Sequence, residues 1–332
     1  MPIKPMEPDP MRATKKATSY LLVPAVVMTI GIGTALACMT PDRAAVLGKN
    51  HPDPGFVTRI AHAHAPNPIE YSMDQPMACK NGTADGFPCQ GIDLVGHIPL
   101  DQIGGGTGSD SWGWTDPETG KEWAIIGRSN GVAFVDVSDP ADIVYTANLP
   151  RPDDVGNNVW ADIKVYKNHA FMVADAVSNY GMQVFDLTRL RDIQNPPATL
   201  SADAEYDQFN SAHNIAINTD TGFAYIVGGD TCSGGPHMVN ISDPLNPQLA
   251  GCFDDDDYTH DIQCVVYRGP DTEHRGREIC FASNEDTLTI IDVTDKSKPV
   301  QLSRTPYEQT GYTHQGWLTE DQGYFLMDDE LD

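Results

Sequence analysis

The chain has 332 residues, and its 47 acidic residues outnumber its 21 Lys and Arg residues, which gives a formal net charge of −26. This balance argues against binding nucleic acid or anionic lipid through a basic face, because phosphate binding needs clustered Lys and Arg. The 40% apolar content is enough for one large or two ordinary globular domains. The 29 Gly and 25 Pro residues disfavour helical bundles and favour a turn-rich β protein.

The N-terminus has the pattern of an export signal. Three basic residues between positions 12 and 16 precede an apolar run from residue 20 to residue 37, which ends in small residues. We therefore predict that residues 1–37 are a signal peptide and that the rest of the chain lies outside the cytoplasm, at the cell surface, on a periplasm-facing membrane or outside the cell. Cys38 completes an Ala-Leu-Ala-Cys sequence similar to the lipobox of bacterial lipoproteins, so lipidation of Cys38 is predicted as the anchor. Secretion without lipid and an uncleaved membrane anchor are the alternatives.

The cysteines favour the same compartment. Seven are present, and setting Cys38 aside leaves an even number that can pair completely under oxidising conditions. Free buried thiols are the alternative, and a cysteine zinc site is disfavoured because no Cys-x-x-Cys pair exists. The most economical disulfides are Cys79–Cys89, Cys232–Cys252 and Cys264–Cys280.

Repeating units follow a lead-in. Residues 38–76 are rich in Pro, His, Asn and Asp and are predicted to be a linker or loosely ordered segment. Short β-rich units then recur about every fifty residues, each with four predicted strands. The third strand of each unit ends in an Asx residue that we interpret as the cap of a turn; these residues are Asp136, Asp186, Asn240 and Asp292. An all-β fold is predicted, a β-propeller of four-stranded blades, with a stacked β-solenoid as the alternative.

Two segments bear on how this ring closes. Residues 91–98 have the pattern of a fourth strand without its first three, and we expect them to complete the final blade. The sequence ends at Asp332, after the second strand of the fifth unit. Since an open sheet edge carries unpaired backbone groups, we expect the propeller domain of residues 77–332 to be incomplete at its C-terminus, as part of a longer protein.

Several segments of this region resemble one family of proteins. They are residues 108–120, 237–244, 258–261, 276–280, 284–288 and 312–317. These segments are similar to the choice-of-anchor B family, which consists of exported bacterial propellers with LVIVD-type repeats. The resemblance covers about residues 77–332. It implies a propeller displayed at the cell surface by an anchoring device that varies between members, and it implies no reaction.

The candidate metal ligands are residues at the start of the first strand of each unit. In a propeller these strands line the central channel, so equivalent positions on successive blades converge. One such position is occupied by Asp110, Ala161, His213, His260 and His314. Three converging imidazoles suit a divalent transition metal, with Asp110 as a further candidate ligand and Asp261 as a candidate acceptor that orients a histidine. There are two alternatives. In the first, these polar side chains only form hydrogen bonds at the channel mouth in a structural role; in the second, one histidine acts as an acid–base group.

A second candidate cation site lies on acidic loops. Carboxylates cluster at the hairpins after the second strands and in the run at residues 254–257, a composition that suits Ca²⁺. Solvated loops on an acidic exported protein are the alternative. The hairpin residues are Asp175, Asp230, Asn284, Glu285, Asp286, Asp328, Asp329 and Glu330.

Two classes of function follow. The first is an exported, surface-anchored propeller that binds a protein or small molecule, with bound structural cations and with membrane contact only through the N-terminal anchor. The second is a metal-dependent extracellular enzyme with its histidine-rich site at the channel mouth. The sequence has no Gly-x-Ser-x-Gly elbow, no His-Glu-x-x-His helix and no Rossmann motif, which favours the binding protein. A carbohydrate-binding module would need two exposed tryptophans on one face.

Overall fold

The computed structural model describes residues 76–152, residue 155 and residues 160–331. The predicted signal peptide, Cys38 and almost all of the predicted lead-in lie outside the described residues. The helices that are described are three short 3-10 turns, Leu100–Ile103, Leu187–Asp192 and Cys232–Gly234. None of the helices in this part of the chain is long and apolar enough to cross a bilayer.

The described chain folds almost entirely into antiparallel sheets of consecutive strands. A short hairpin, β1 (Thr83–Ala84) and β2 (Phe87–Pro88), comes first. Blade 1 contains β3 (Gly108–Thr115), β4 (Glu122–Arg128), β5 (Gly131–Asp136) and β6 (Val144–Pro150). Blade 2 contains β7 (Ala161–Tyr166), β8 (His169–Ala174), β9 (Met182–Asp186) and β11 (Ala204–Tyr206). Between β9 and β11 lies β10 (Ala198–Thr199), which pairs in parallel with β6 of blade 1.

The next blades repeat the pattern. Blade 3 contains β12 (Asn214–Asn218), β13 (Phe223–Val227), β14 (His237–Asn240) and β15 (Gln248–Cys252). Blade 4 contains β16 (Asp261–Val266), β17 (Glu278–Asn284), β18 (Thr287–Asp292) and β19 (Val300–Pro306). The described part of blade 5 consists of β20 (Thr313–Leu318) and β21 (Phe325–Asp329).

The first strands of the blades are neighbours in space. β3 contacts β7, β7 contacts β12, β12 contacts β16 and β16 contacts β20. The blades therefore pack face to face with their first strands on the inside, and the predicted β-propeller fold is confirmed. The middle strands β4, β5 and β8 are buried along nearly their whole length, because both of their faces are covered. This explains why they read as continuous apolar runs.

Turn chemistry and disulfides also follow the sequence predictions. Each Asx residue at the end of a third strand accepts a hydrogen bond from the backbone N–H two residues later, at 2.9–3.0 Å. All three predicted disulfides are present, Cys79–Cys89, Cys232–Cys252 and Cys264–Cys280.

The predicted strand at residues 91–98 is wrong. Only Leu94 forms a β-bridge, and its partner is Met77 rather than a residue of blade 5. The physical reason is that the end of this segment and the residues after it cover the face of blade 1 that points away from blade 2. Ile98 and the fully buried Ile103 pack there against an apolar cluster that includes Ile126.

Candidate functional site

The three predicted histidines lie side by side at one end of the inner strands. His213 and His260 immediately precede β12 and β16, and His314 lies in β20. The ring centroids of His213 and His260 are 4.4 Å apart, and those of His260 and His314 are 4.6 Å apart. His213 and His260 are 5% and 2% exposed. The repeat therefore brings together imidazoles from three successive blades.

Each of these imidazoles directs its Nδ1 atom at an oxygen atom of the protein. His213 Nδ1 lies 2.9 Å from Asp175 Oδ2, and His260 Nδ1 lies 2.9 Å from the backbone oxygen of His314. His314 Nδ1 lies 3.5 Å from Asp328 Oδ2. An imidazole that donates from Nδ1 presents Nε2 as a ligand atom, and this is the usual arrangement of a metal-ligating histidine.

Glu330 joins this group of side chains. Its carboxylate and the ligand nitrogens of His260 and His314 all lie within 4.8 Å of one another. Both of its carboxylate oxygens are buried and accept no hydrogen bond from a described residue. Burial, together with the charges of Asp328 and Asp329, raises the pKa of Glu330 to about 8.

The sequence predicts Glu330 only as one of the carboxylates on the acidic loops, and its position beside His260 and His314 was not predicted. A feature that could have revealed it is its equivalence to Asp175, since both follow a second strand. The N–H of Asp175 donates to the carbonyl of Trp160, and the N–H of Glu330 donates to the carbonyl of Tyr312. Alignment of these hairpins places both acids at the end of the channel where the histidines lie.

Asp110 and Asp261 lie on the inner strands β3 and β16, but neither is a member of the group with Glu330. The Asp110 carboxylate lies 3.5 Å from Lys164 Nζ. Burial and the neighbouring Asp162 raise the pKa of Asp110 to about 8. Burial and the charge of Asp162 raise the pKa of Asp261 to about 6, although a backbone N–H and Lys164 oppose the rise.

Lys164 is the cation at the centre of this acidic group. It donates to Asp162 and lies 4.7 Å above the ring of Trp112. The exposed tryptophans of the described chain are Trp112 in blade 1 and Trp317 in blade 5.

Other polar residues on the inner strands tie one blade to the next. Ser109 Oγ hydrogen-bonds the backbone of Ala161 in blade 2, at 2.9 and 3.0 Å. The N–H of Ile215 in blade 3 donates to Asp162 at 2.8 Å, and Asn214 donates to the carbonyl of His260 at 2.9 Å. These polar side chains therefore hold neighbouring blades together.

The acidic loops use their carboxylates within the protein. Asp230 accepts hydrogen bonds from Asn210, Asp256 pairs with Arg304, and Asp329 accepts from Tyr307 and three backbone N–H groups. Over the described residues, the group containing Glu330 is the one set of three His, Cys, Asp or Glu ligands close enough to hold an ion. These contacts stabilise the loops.

The raised pKa of Asp110 predicts a measurable pH dependence. Between about pH 4 and about pH 8 the folded protein keeps a proton on Asp110 that the unfolded chain has lost, so this residue makes the free energy of unfolding fall as the pH rises. Asp110→Asn is therefore expected to gain stability relative to wild type between about pH 5 and about pH 8, measured by urea unfolding in the presence of a chelator. The exposed Asp254→Asn is the control. An Asp110→Asn difference that stays constant with pH would contradict this prediction.

Comparison with known proteins finds similarities in structure and no match in sequence. No protein-family model matches the sequence, and no curated protein matches it. A protein of unknown function from Desulfotomaculum acetoxidans DSM 771 is similar with a TM-score of 0.47 and 13% identity, over 68% of this chain and 63% of that chain. The β-propeller domain of Cps50 (Swd1) from Myceliophteria thermophila is similar with a TM-score of 0.36 and 13% identity, over 62% of this chain and 59% of that chain. The Dos1 propeller has a TM-score of 0.44 and 11% identity, over 76% of this chain and 59% of that one.

This chain thus spans less than two thirds of the length of each of these three proteins.

Proposed function

We propose that this protein is an exported binding propeller whose channel mouth holds a divalent transition metal through His260, His314 and Glu330. The observation that carries the proposal is the convergence of these three ligand atoms within 4.8 Å, with His260 buried and His314 and Glu330 half-buried. Two imidazoles and one carboxylate form a ligand set typical of Zn²⁺ and its neighbours, whereas Ca²⁺ prefers oxygen ligands.

The dimensions of the group suit such an ion. In a tetrahedral site with bonds of about 2.0–2.2 Å, two ligand atoms of one Zn²⁺ lie about 3.3–3.6 Å apart. The described separation of up to 4.8 Å therefore needs a closure of about 1.2–1.5 Å, within reach of side-chain torsions. A bound cation would also replace the proton that burial favours on Glu330.

Export and anchoring complete the proposal. They are supported by the signal-peptide pattern of residues 1–37, by the lipobox-like sequence ending at Cys38 and by the resemblance to the choice-of-anchor B family. The three disulfides suit an oxidising compartment. The partner is a protein or a small molecule that the propeller surface recognises.

One observation favours the second class of function, a metal-dependent enzyme. The buried pair of Asp175 and His213 lies directly beside the metal ligands, and an imidazole oriented by a carboxylate next to a metal ion is an arrangement used in hydrolysis. A propeller supports either class, so the fold does not decide between them.

The proposed metal site is tested by measuring Zn²⁺ binding to the purified protein by calorimetry and elemental analysis. We expect one tightly bound ion per chain, and we expect His260→Ala to weaken binding by on the order of 100-fold or more, because it removes a ligand. The matched control is His274→Ala, since His274 forms a similar 2.9 Å contact with Asp271 on a surface loop. Equal affinity in His260→Ala and wild type, or no stoichiometric metal, would overturn the proposal.

A further inference from the structure

We infer that the proposed metal keeps one coordination position open to the channel, and that His213 selects a hydroxyl-bearing small molecule as the ligand that binds there. This inference rests on the proposed function and extends it, since it assigns a ligand class to the metal site. It also gives the pair of His213 and Asp175 a role outside the coordination sphere.

The first argument is the number of protein ligands. Over the described residues, the ligand atoms of His260, His314 and Glu330 are the one set within 4.8 Å of one another, and His213 is not a member. Zinc sites with three protein ligands keep a further position for water or substrate. The side chain of His314 is 19% exposed whereas His260 is 2% exposed, so the site meets solvent on the side of His314.

The second argument is the position of His213 beside this set. Its ring centroid lies 4.4 Å from that of His260, and its Nε2 atom forms no hydrogen bond with a described residue. A ligand atom about 2.1 Å from the ion and a hydrogen bond of about 2.8 Å together span up to about 5 Å. His213 can therefore contact a ligand in the open position without binding the ion itself.

The third argument is that Asp175 fixes the position of the hydrogen on His213. Asp175 Oδ2 lies 2.9 Å from His213 Nδ1, and its Oδ1 accepts from Ser211 Oγ at 3.1 Å and from the N–H of Ala176. Burial opposes ionisation of Asp175, but its hydrogen bonds, above all that with His213, hold its pKa below the ordinary value. The ionised carboxylate can only accept, so Nδ1 is the nitrogen that carries the hydrogen.

This tautomer determines which ligand fits the open position. A neutral imidazole that donates from Nδ1 has a hydrogen-bond acceptor at Nε2. His213 therefore favours a ligand whose coordinating atom carries a hydrogen, such as water or the hydroxyl group of a small molecule. An anion without hydrogen, such as azide, gains nothing from this acceptor.

The open position is tested with Co²⁺ in the metal site, because the visible spectrum of Co²⁺ changes when a further ligand binds. Wild type is titrated at about pH 8, where an ordinary histidine is neutral. We expect azide and acetohydroxamate, which presents a hydroxyl group, each to change the spectrum and to saturate at one molecule per ion. A spectrum that neither probe changes would show a closed coordination sphere and would overturn the inference.

His213→Phe keeps a buried ring and removes the acceptor. The affinity for acetohydroxamate should fall by on the order of 10-fold, the value of one hydrogen bond, while the affinity for azide stays within about twofold of wild type. His274→Ala, which removes the histidine of a similar contact with Asp271 on a surface loop, is the matched control and should change neither affinity. Equal losses for both probes would mean that His213 only packs beside the ion, contrary to the inference.

Asp175→Asn gives the sharpest prediction. Because Ser211 and the N–H of Ala176 donate to the Oδ1 side, the amide of the variant places its NH₂ group against His213 Nδ1. The hydrogen of His213 then lies on Nε2, which becomes a donor. We expect the affinity for acetohydroxamate to fall by on the order of 10-fold and the affinity for azide to rise, because azide accepts a hydrogen bond. An unchanged order of the two affinities would contradict the assigned tautomer.

These outcomes are distinct from those of the metal site itself. If His260→Ala loses the ion and wild type binds neither probe, the metal site stands and the inference fails. If His260→Ala binds Co²⁺ like wild type, both proposals fail. Should His213→Phe not fold, Asp175→Asn, which keeps the ring and all three metal ligands, still decides the role of His213.

Discussion

Glu278→Ala is expected to lower the free energy of unfolding by about 3–5 kcal/mol, because it leaves a buried lysine without its counter-charge. Glu278 Oε2 accepts from Lys296 Nζ at 2.7 Å. Its Oε1 accepts from the hydroxyl of Tyr225 at 2.5 Å and from Asn218 and Thr221, each at 2.7 Å. The carboxylate of blade 4 thereby accepts hydrogen bonds from Lys296 of its own blade and from three groups of blade 3, so its loss affects both blades.

The side chains of Glu278 and Lys296 are 6% and 8% exposed, so water cannot replace the lost partner. Burial opposes ionisation of Glu278, but its hydrogen bonds, above all that from Lys296, hold its pKa below the ordinary value. Its stabilisation is therefore present above about pH 4.5 and is lost as the pH falls further. Denaturant unfolding near neutral pH measures the effect.

Two further variants make that measurement specific. Asp220→Ala removes an exposed ion pair with Arg268, whose side chains are 55% and 70% exposed, and should cost at most about 1 kcal/mol. The double variant Glu278→Leu with Lys296→Met removes both charges and should recover part of the loss. A cost below about 1 kcal/mol for Glu278→Ala would show that this buried network does not stabilise the blade interface.

Removing the disulfide between Cys264 and Cys280 is expected to cost about 3 kcal/mol, the value for a cross-link that closes a loop of about 15 residues. The two cysteines face each other on β16 and β17 and are buried in the core between blades 3 and 4. The paired variant Cys264→Ala with Cys280→Ala is compared with wild type by denaturant unfolding under oxidising conditions.

The control for this disulfide is Cys79→Ala with Cys89→Ala, which removes the disulfide at the small hairpin outside the blades. This control should leave the unfolding of the blades unchanged. Equal losses in the two paired variants would mean that the position of the cross-link in the core is unimportant, contrary to the prediction.

Much of the fold was predictable because each repeat contains the same recognisable sequence features. The middle strands are buried on both faces and read as apolar runs, and an Asx residue such as Asp136 or Asp292 ends each third strand. The pairing of β10 with β6 and the path of residues 91–98 were not predictable. Each depends on contacts with residues that are distant in the sequence, and the local sequence pattern does not indicate such contacts.

The candidate site was predictable in part for the same reason. Equivalence in the repeat brought His213, His260 and His314 together, as their ring distances show. The repeat could not show that Asp110 would lie next to Lys164, because that contact depends on a lysine three residues beyond the repeated position Ala161. Nor could it distinguish Glu330 from the other loop acids, since burial of a carboxylate is a property of the assembled channel.

The strand β10 has a consequence for blade 1. Ala198 and Thr199 leave blade 2 and pair with Ala147 and Asn148 of β6, so the outermost edge of blade 1 is covered along this stretch. An unpaired edge strand can form hydrogen bonds with strands of other molecules, and β10 blocks such pairing at this stretch of β6. It also joins the two blades at the rim, far from the axis. We therefore expect blades 1 and 2 to open as one cooperative unit, since separating them breaks this pairing.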